Sequence, residues 1–270
     1  MTGLRYVYAI CRPFEAALQS QLTGVAGAPP GLLRHHGLVA VVSTVPERDF
    51  AEEPLRAHLE DLDWLTDTAR AHQGVIDALT TVTTPLPLRL ATVFRDDSGV
   101  RVMMETGEAG FRRTLDRLDG RVEWGVKVHL DPVREPETVE DEPTDAASPE
   151  SRPTSGRDYL RRRRQRVRSD EDRWRQAEEF ASRLHTALSG HAEEARLHAP
   201  QNSTLSGVPG QNVLNAAYLV PRAESEEFVE LVDRTKDDVL GVPGVSGIRV
   251  ELTGPWAAYS FTGELSGEER

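Results

Sequence analysis

Arg121-Val122-Glu123-Trp124-Gly125-Val126-Lys127-Val128 reads as a β-strand, and the rest of the fold is built outward from it. Val122, Trp124, Val126 and Val128 fall on one side of an extended chain, and Glu123, Gly125, Lys127 and His129 on the other. This strict period of two suits a half-buried strand.

Upstream, Leu4 to Ile10 and Leu38 to Thr44 are rich in β-branched, aromatic and aliphatic residues and are bounded by Gly3, Pro13, Gly37 and Pro46, so both read as strands. Between Pro54 and Leu79 the apolar residues Leu55, Leu59, Leu62 and Leu65, then Val75, Ile76 and Leu79, recur at helical spacing and fit one helix or two. Leu86, Leu88 and Leu90 suggest a strand, confined by Pro85 and Pro87 to a start or an edge. A short strand is expected around Val100 to Met104, then a helix marked by Phe111, Leu115 and Leu118 and ending near Gly120. Residues 1–130 are thus expected to form an α+β domain, a mostly antiparallel sheet carrying helices on one face.

From Asp131 to Ser155 the chain is acidic and rich in proline, serine and threonine. Such a composition buries too little apolar area to offset chain entropy, and it is expected to be a flexible linker. Beyond it, a long helix from Arg157 to Ser189 carries Trp174, Ala177, Phe180, Ala181, Leu184 and Leu188 on one stripe, with Gly190 as its stop. A short strand at Glu194 to His198, a polar loop at Gln201 to Gly210 and a strand at Val213 to Val220 follow. Phe228, Leu231, Val232 and Val239 mark a helix with Ser225 as N-cap, and Ile248, Val250 and Leu252 a last strand leading into a turn at Gly254-Pro255. Residues 156–264 are read as a second, smaller α+β domain with a long leading helix, and 265–270 as a disordered tail.

At 270 residues the chain has length for two ordinary domains. Hydrophobic residues make up 38% and charged residues 28%, and the mean hydropathy is −0.46. A net charge of −12 repels nucleic acid and anionic lipid on average. The single cysteine, Cys11, excludes an intramolecular disulfide and a cysteine-rich zinc cage, and it fits a reducing, cytoplasmic setting. The apolar run Val7 to Cys11 is shorter than a signal-peptide core, and no run approaches a membrane span.

Catalytic signatures are missing. His35 and His36 are adjacent and would point to opposite faces of a strand, while His185, His191 and His198 lack the i, i+4 pairing of a helical metal site, so no metal or cofactor is expected. His72, in register with Val75, Ile76 and Leu79, reads as a hydrogen-bonded histidine at a core edge. Gly207-Val208-Pro209-Gly210 lacks the features of a phosphate loop. The basic block Arg161 to Arg168 could bind phosphates, but Asp170, Glu171 and Asp172 follow it, with Arg166 and Arg168 four residues before Asp170 and Asp172. The closing Trp256, Tyr259 and Phe261, and with them Trp124, either cap a core or present anchors to a partner.

Leu252-Thr253-Gly254-Pro255-Trp256-Ala257-Ala258-Tyr259-Ser260-Phe261 and the opening strand at 121–128 resemble the two signature stretches of the gas vesicle protein F/L family (GvpF/GvpL). Tyr6 to Ile10, Gly37 to Ser43 with Val45-Pro46, His72 ahead of Val75, Pro85 to Phe94 and Tyr159-Leu160 are similar to further stretches of the family in the same order. Two places depart from its pattern: Leu90-Ala91 stands where phenylalanine-glycine is usual, and Ala257-Ala258 where a proline pair is usual. The resemblance implies a ferredoxin-like N-terminal domain, a C-terminal α+β domain, and a non-enzymatic, wall-associated accessory protein of gas vesicle assembly. Its implied partner is the hydrophobic shell protein GvpA, with no nucleic acid or membrane involved. The alternatives are a small-molecule enzyme with an interdomain cleft using Arg89, His72 and Lys127, and a nucleic-acid adaptor acting through Arg161–Arg168.

Overall fold

The computed structural model describes residues 3–16, 18, 21–132, 156–199, 210–240 and 247–263. These form an α+β protein of antiparallel sheets and helices. The first sheet contains β1 (Leu4–Cys11), β2 (Gly31–His35), β3 (Leu38–Val45), β4 (Leu86–Pro87) and β5 (Val93–Phe94). Its order is β2-β3-β1-β4, β5 also pairs with β1, and all these pairs are antiparallel. Read from its other end, 4-1-3-2 is the strand order of a ferredoxin-like sheet. The crossover from β3 to β4 carries α1 (Glu47–Phe50), α2 (Glu52–His58) and α3 (Leu62–Thr80). The crossover from β1 to β2 carries only a 3-10 turn, Val25–Gly27, among its described residues.

Val7 pairs with Val42 and Ala9 with Val41, so Tyr8 is an extra residue in β1, a β-bulge. One inserted residue exchanges the two faces of a strand. Tyr6 before the bulge, Tyr8 at it, and Ala9 and Cys11 after it therefore reach one core together with Val39, Val41 and Val45. Val75, Ile76 and Leu79 of α3 and Phe50 of α1 complete it. Each large side chain so buried contributes about 2 kcal/mol.

The other face of the sheet carries α4 (Asp97–Leu118). Arg5 of β1 pairs with Asp97 at 2.5 Å, and Arg12, just past β1, with Asp116 near the end of α4. Helices thus cover both faces, where one was expected. The reason is that β1 and β3 are buried along nearly their whole length, so neither face can be left to solvent. The expected strand at Val100 to Met104 is also corrected, because these residues lie in α4. Val100, Met104, Phe111, Leu115 and Leu118 form one helical stripe, and the Asp96 carboxylate caps its start by accepting from the amides of Ser98 and Gly99. Upstream, Asp61 caps α3 in the same way and separates it from α2.

His36 and Gly37 join β2 to β3 with φ of 46° and 67°, the paired positive values of a tight hairpin turn. His36 is therefore not a strand residue, and its ring stacks on that of His35 with centroids 4.4 Å apart. The expectation that the two point to opposite faces does not hold.

β6 (Arg121–Leu130), β7 (Glu194–Leu197), β8 (Gln211–Pro221) and β9 (Ile248–Trp256) form a second sheet in the order β7-β8-β6-β9. With them go α5 (Gly156–Ser189) and α6 (Ser225–Leu240). The described residues pack as two compact units. One lies within Met1–Trp124, Leu219–Ser225 and Thr253–Arg270, the other within Gly125–Tyr218 and Glu226–Leu252. In the second unit Ala177, Phe180, Ala181, Leu184 and Leu188 of α5 are buried, and Tyr218 packs its ring 5.5 Å from Phe228. The expected turn at Gly254-Pro255, whose peptide bond is cis, lies inside β9. Of the expected linker 131–155, residues 133–155 lie outside the described residues, as do 201–209 of the polar loop and the tail 265–270. Asp131 is tied down, its amide donating to Gly247 at 2.7 Å and its carbonyl accepting from Arg173 at 2.8 Å.

Candidate functional site

The closing segment of the first unit is held by three fixed points. At Gly254 the backbone has φ of 131°, and a Cβ there would stand 2.8 Å from the Glu123 carbonyl oxygen and 3.0 Å from the Trp124 ring. Only glycine lets the chain lie this close to β6. Downstream, both oxygens of the Glu123 carboxylate accept from Ser260, one from its amide at 2.7 Å and one from its hydroxyl at 2.6 Å. At the far end of the 3-10 turn Tyr259–Phe261, Arg117 donates to the Phe261 carbonyl at 2.5 Å. An anion at the amide end and a cation at the carbonyl end match the dipole of the turn.

This arrangement sorts the candidate aromatics. Phe261 is completely buried, Tyr259 is half-buried against the α3 core, and Ala257 belongs to that core. Trp124 is buried, its indole N–H donating to the Ser225 hydroxyl at 3.4 Å. Trp256 differs, with 40% of its surface exposed. The segment thus roots two of its three rings beside Trp124 of β6 and presents the third, Trp256. Glu123, Ser260 and Arg117 were not singled out in the sequence. Alternation along β6 places Glu123 on the solvent side, yet it is only 9% exposed because the turn at 257–261 lies over it.

Beneath Tyr259 sits a buried polar network. The Tyr6 hydroxyl accepts from the Ala91 amide at 3.1 Å, which leaves its proton for His72 Nδ1 at 2.9 Å. His72 then carries its own proton on Nε2, which has no hydrogen-bond partner among the described residues. Burial pushes the His72 pKa down to about 4, so the imidazole is neutral, and burial raises those of Tyr6 and Tyr259 well above the usual phenol range. The ring of Tyr259 lies 6.4 Å from that of His72. Next to them the Tyr8 hydroxyl donates to Ser43 Oγ at 3.0 Å and accepts from the Val25 amide at 2.8 Å. These groups hold α3 and the crossover onto the sheet, and His72 is the core-edge histidine its register indicates.

Arg89 is exposed and His72 buried, and Lys127 lies half-buried on β6. His185 bonds the Tyr218 hydroxyl at 2.8 Å, and His191 the Ala187 carbonyl at 3.1 Å. The basic block lies on α5, where Arg161, Arg163, Arg164 and Arg168 are exposed. Asp170 pairs with Arg173 and Asp172 with Arg175, so these carboxylates reach arginines three residues ahead. Among the described residues no helix is long and apolar enough to cross a membrane.

The sequence profile of the gas vesicle synthesis protein GvpL/GvpF family matches residues 4–263. Gas vesicle protein L of Streptomyces sp. (strain CB03234) is 58% identical over 260 residues, covering 96% of this chain and 93% of that protein. Gas vesicle protein F of the same strain is 26% identical, covering 95% of this chain and 98% of its own length. The crystal structure of GvpF from Anabaena sp. PCC7120 superposes with a TM-score of 0.65 at 18% identity, covering 96% of each chain, which is a likeness of fold.

Proposed function

Because the chain belongs to the gas vesicle synthesis protein GvpL/GvpF family, we propose that it is an L-type accessory protein of gas vesicle assembly, acting by binding the hydrophobic shell protein GvpA without chemical turnover. One observation carries the reading: identity to gas vesicle protein L of Streptomyces is 58%, against 26% to gas vesicle protein F of the same strain, each over nearly the whole chain. The physical logic concerns aggregation. An apolar shell subunit exposes large apolar patches before it is assembled, and a partner with a net charge of −12 keeps such a complex dispersed. Trp256, exposed beside a turn fixed at both ends, is the anchor for such a contact, since a rigidly held aromatic loses little freedom on binding. The site of action is the growing vesicle wall in the cytoplasm.

The test is co-expression of the other gas vesicle genes with and without this chain, scoring buoyant vesicles. Loss of vesicles without it, with return on complementation, supports the reading. An unchanged yield sinks it.

A further inference from the structure

We propose that His35, His36 and Glu105 form a binding site for a divalent transition-metal ion of the zinc, nickel or copper type, where the β2–β3 hairpin tip meets α4. Each residue offers one ligand atom, and these atoms all lie within 4.8 Å of one another. His35 Nε2 stands 2.6 Å from Glu105 Oε1, a contact that a proton now bridges and a metal would take over. The stacked rings present both imidazoles to the same helix face, which the left-handed conformation of His36 makes possible.

The tip is held in place from α4. Arg112 donates to the His36 carbonyl at 2.5 Å and to Glu108 Oε1 at 2.9 Å, while Glu108 Oε2 lies 3.1 Å from His36 Nδ1. Such outer contacts orient ligating histidines and their loss weakens metal binding. Glu105 and Glu108 are three residues apart, hence on one face of α4. Two carboxylates stand against the one guanidinium of Arg112, which pairs with Glu108. His36 and Glu105 are exposed, so an ion reaches the site directly and small side-chain rotations bring the donors to metal distance. Two imidazoles with a carboxylate suit borderline metals and not magnesium or calcium, which take oxygen ligands. Three protein ligands leave a fourth position for water.

The test uses tag-free, full-length protein stripped with chelator, titrated with zinc by calorimetry and with cobalt by its visible absorption. One equivalent should bind saturably. Glu105→Gln and His36→Asn should each weaken binding by about tenfold or more, asparagine being a residue that accepts positive φ. His191→Asn, at an exposed histidine on the other unit, should leave it unchanged. Circular dichroism of each variant checks that the fold is kept. Lack of saturable uptake by the parent protein, or unchanged affinity in a folded His35→Asn/His36→Asn double variant, overturns the proposal.

Discussion

Glu123 and Ser260 are joined by two hydrogen bonds, of 2.7 Å and 2.6 Å, that use both oxygens of one buried carboxylate across 137 positions of sequence. This is the link that places the closing aromatic turn. Glu123→Ala leaves the partly buried Ser260 amide without its carboxylate acceptor and should cost about 1–3 kcal/mol, read as a lowered urea midpoint. Glu123→Gln keeps one acceptor and should cost less. Equal midpoints for parent and alanine variant would show that the contact adds nothing.

Gly254 makes an independent case. Gly254→Ala combines a φ of 131° with a Cβ driven against the Glu123 carbonyl and the Trp124 ring. A loss of about 1–3 kcal/mol is expected, together with a change in tryptophan fluorescence as the indole is displaced.

Phe261 and Trp256 should behave oppositely. Phe261→Ala empties a fully buried site and should cost about 3–5 kcal/mol. Trp256→Ala removes a partly exposed ring and should shift stability by less than about 1 kcal/mol, yet it should reduce vesicle yield in the co-expression assay. A fully active Trp256→Ala protein would remove Trp256 from the contact.

His72 sets a pH dependence. Its folded pKa is lowered to about 4, whereas a histidine of the unfolded chain titrates near 6.5, so between these values the unfolded state binds more protons. The stability it contributes is full above about pH 6.5 and falls as pH drops toward 4, by on the order of 3 kcal/mol. His129 is also lowered, chiefly by burial, so parent and His72→Gln must be compared to isolate His72. The variant should show a shallower decline between pH 6.5 and 4, and identical slopes would contradict the assignment.

Much of the fold is legible where apolar spacing is long and regular. Strands at 4–10, 38–44 and 122–128 and the helices ending at Thr80 and Ser189 follow from period and stop signals alone. What sequence spacing does not carry is the effect of a single inserted residue. The bulge at Tyr8 exchanges the two faces of β1, and the burial of β1 and β3 along nearly their whole length goes with α4 on the side expected to be open. Similarly, Val100 to Met104 viewed alone is too short to separate strand from helix, and only the stripe continuing to Leu118 decides it. At the site, the aromatics are visible as a cluster, but which ring stays outside depends on Glu123, a charged residue on the apparently solvated face. The pairing of His35 with His36 is hidden because it depends on a positive φ at a residue that is not glycine.

Contact with the shell protein, as proposed above, can be read by photo-crosslinking from position 256. A photoreactive aromatic residue in place of Trp256, in cells making vesicles, should yield an adduct with GvpA, whereas the same group at exposed Leu197 should not. Vesicles that form normally while position 256 gives no GvpA adduct would rule out contact with the shell protein through Trp256.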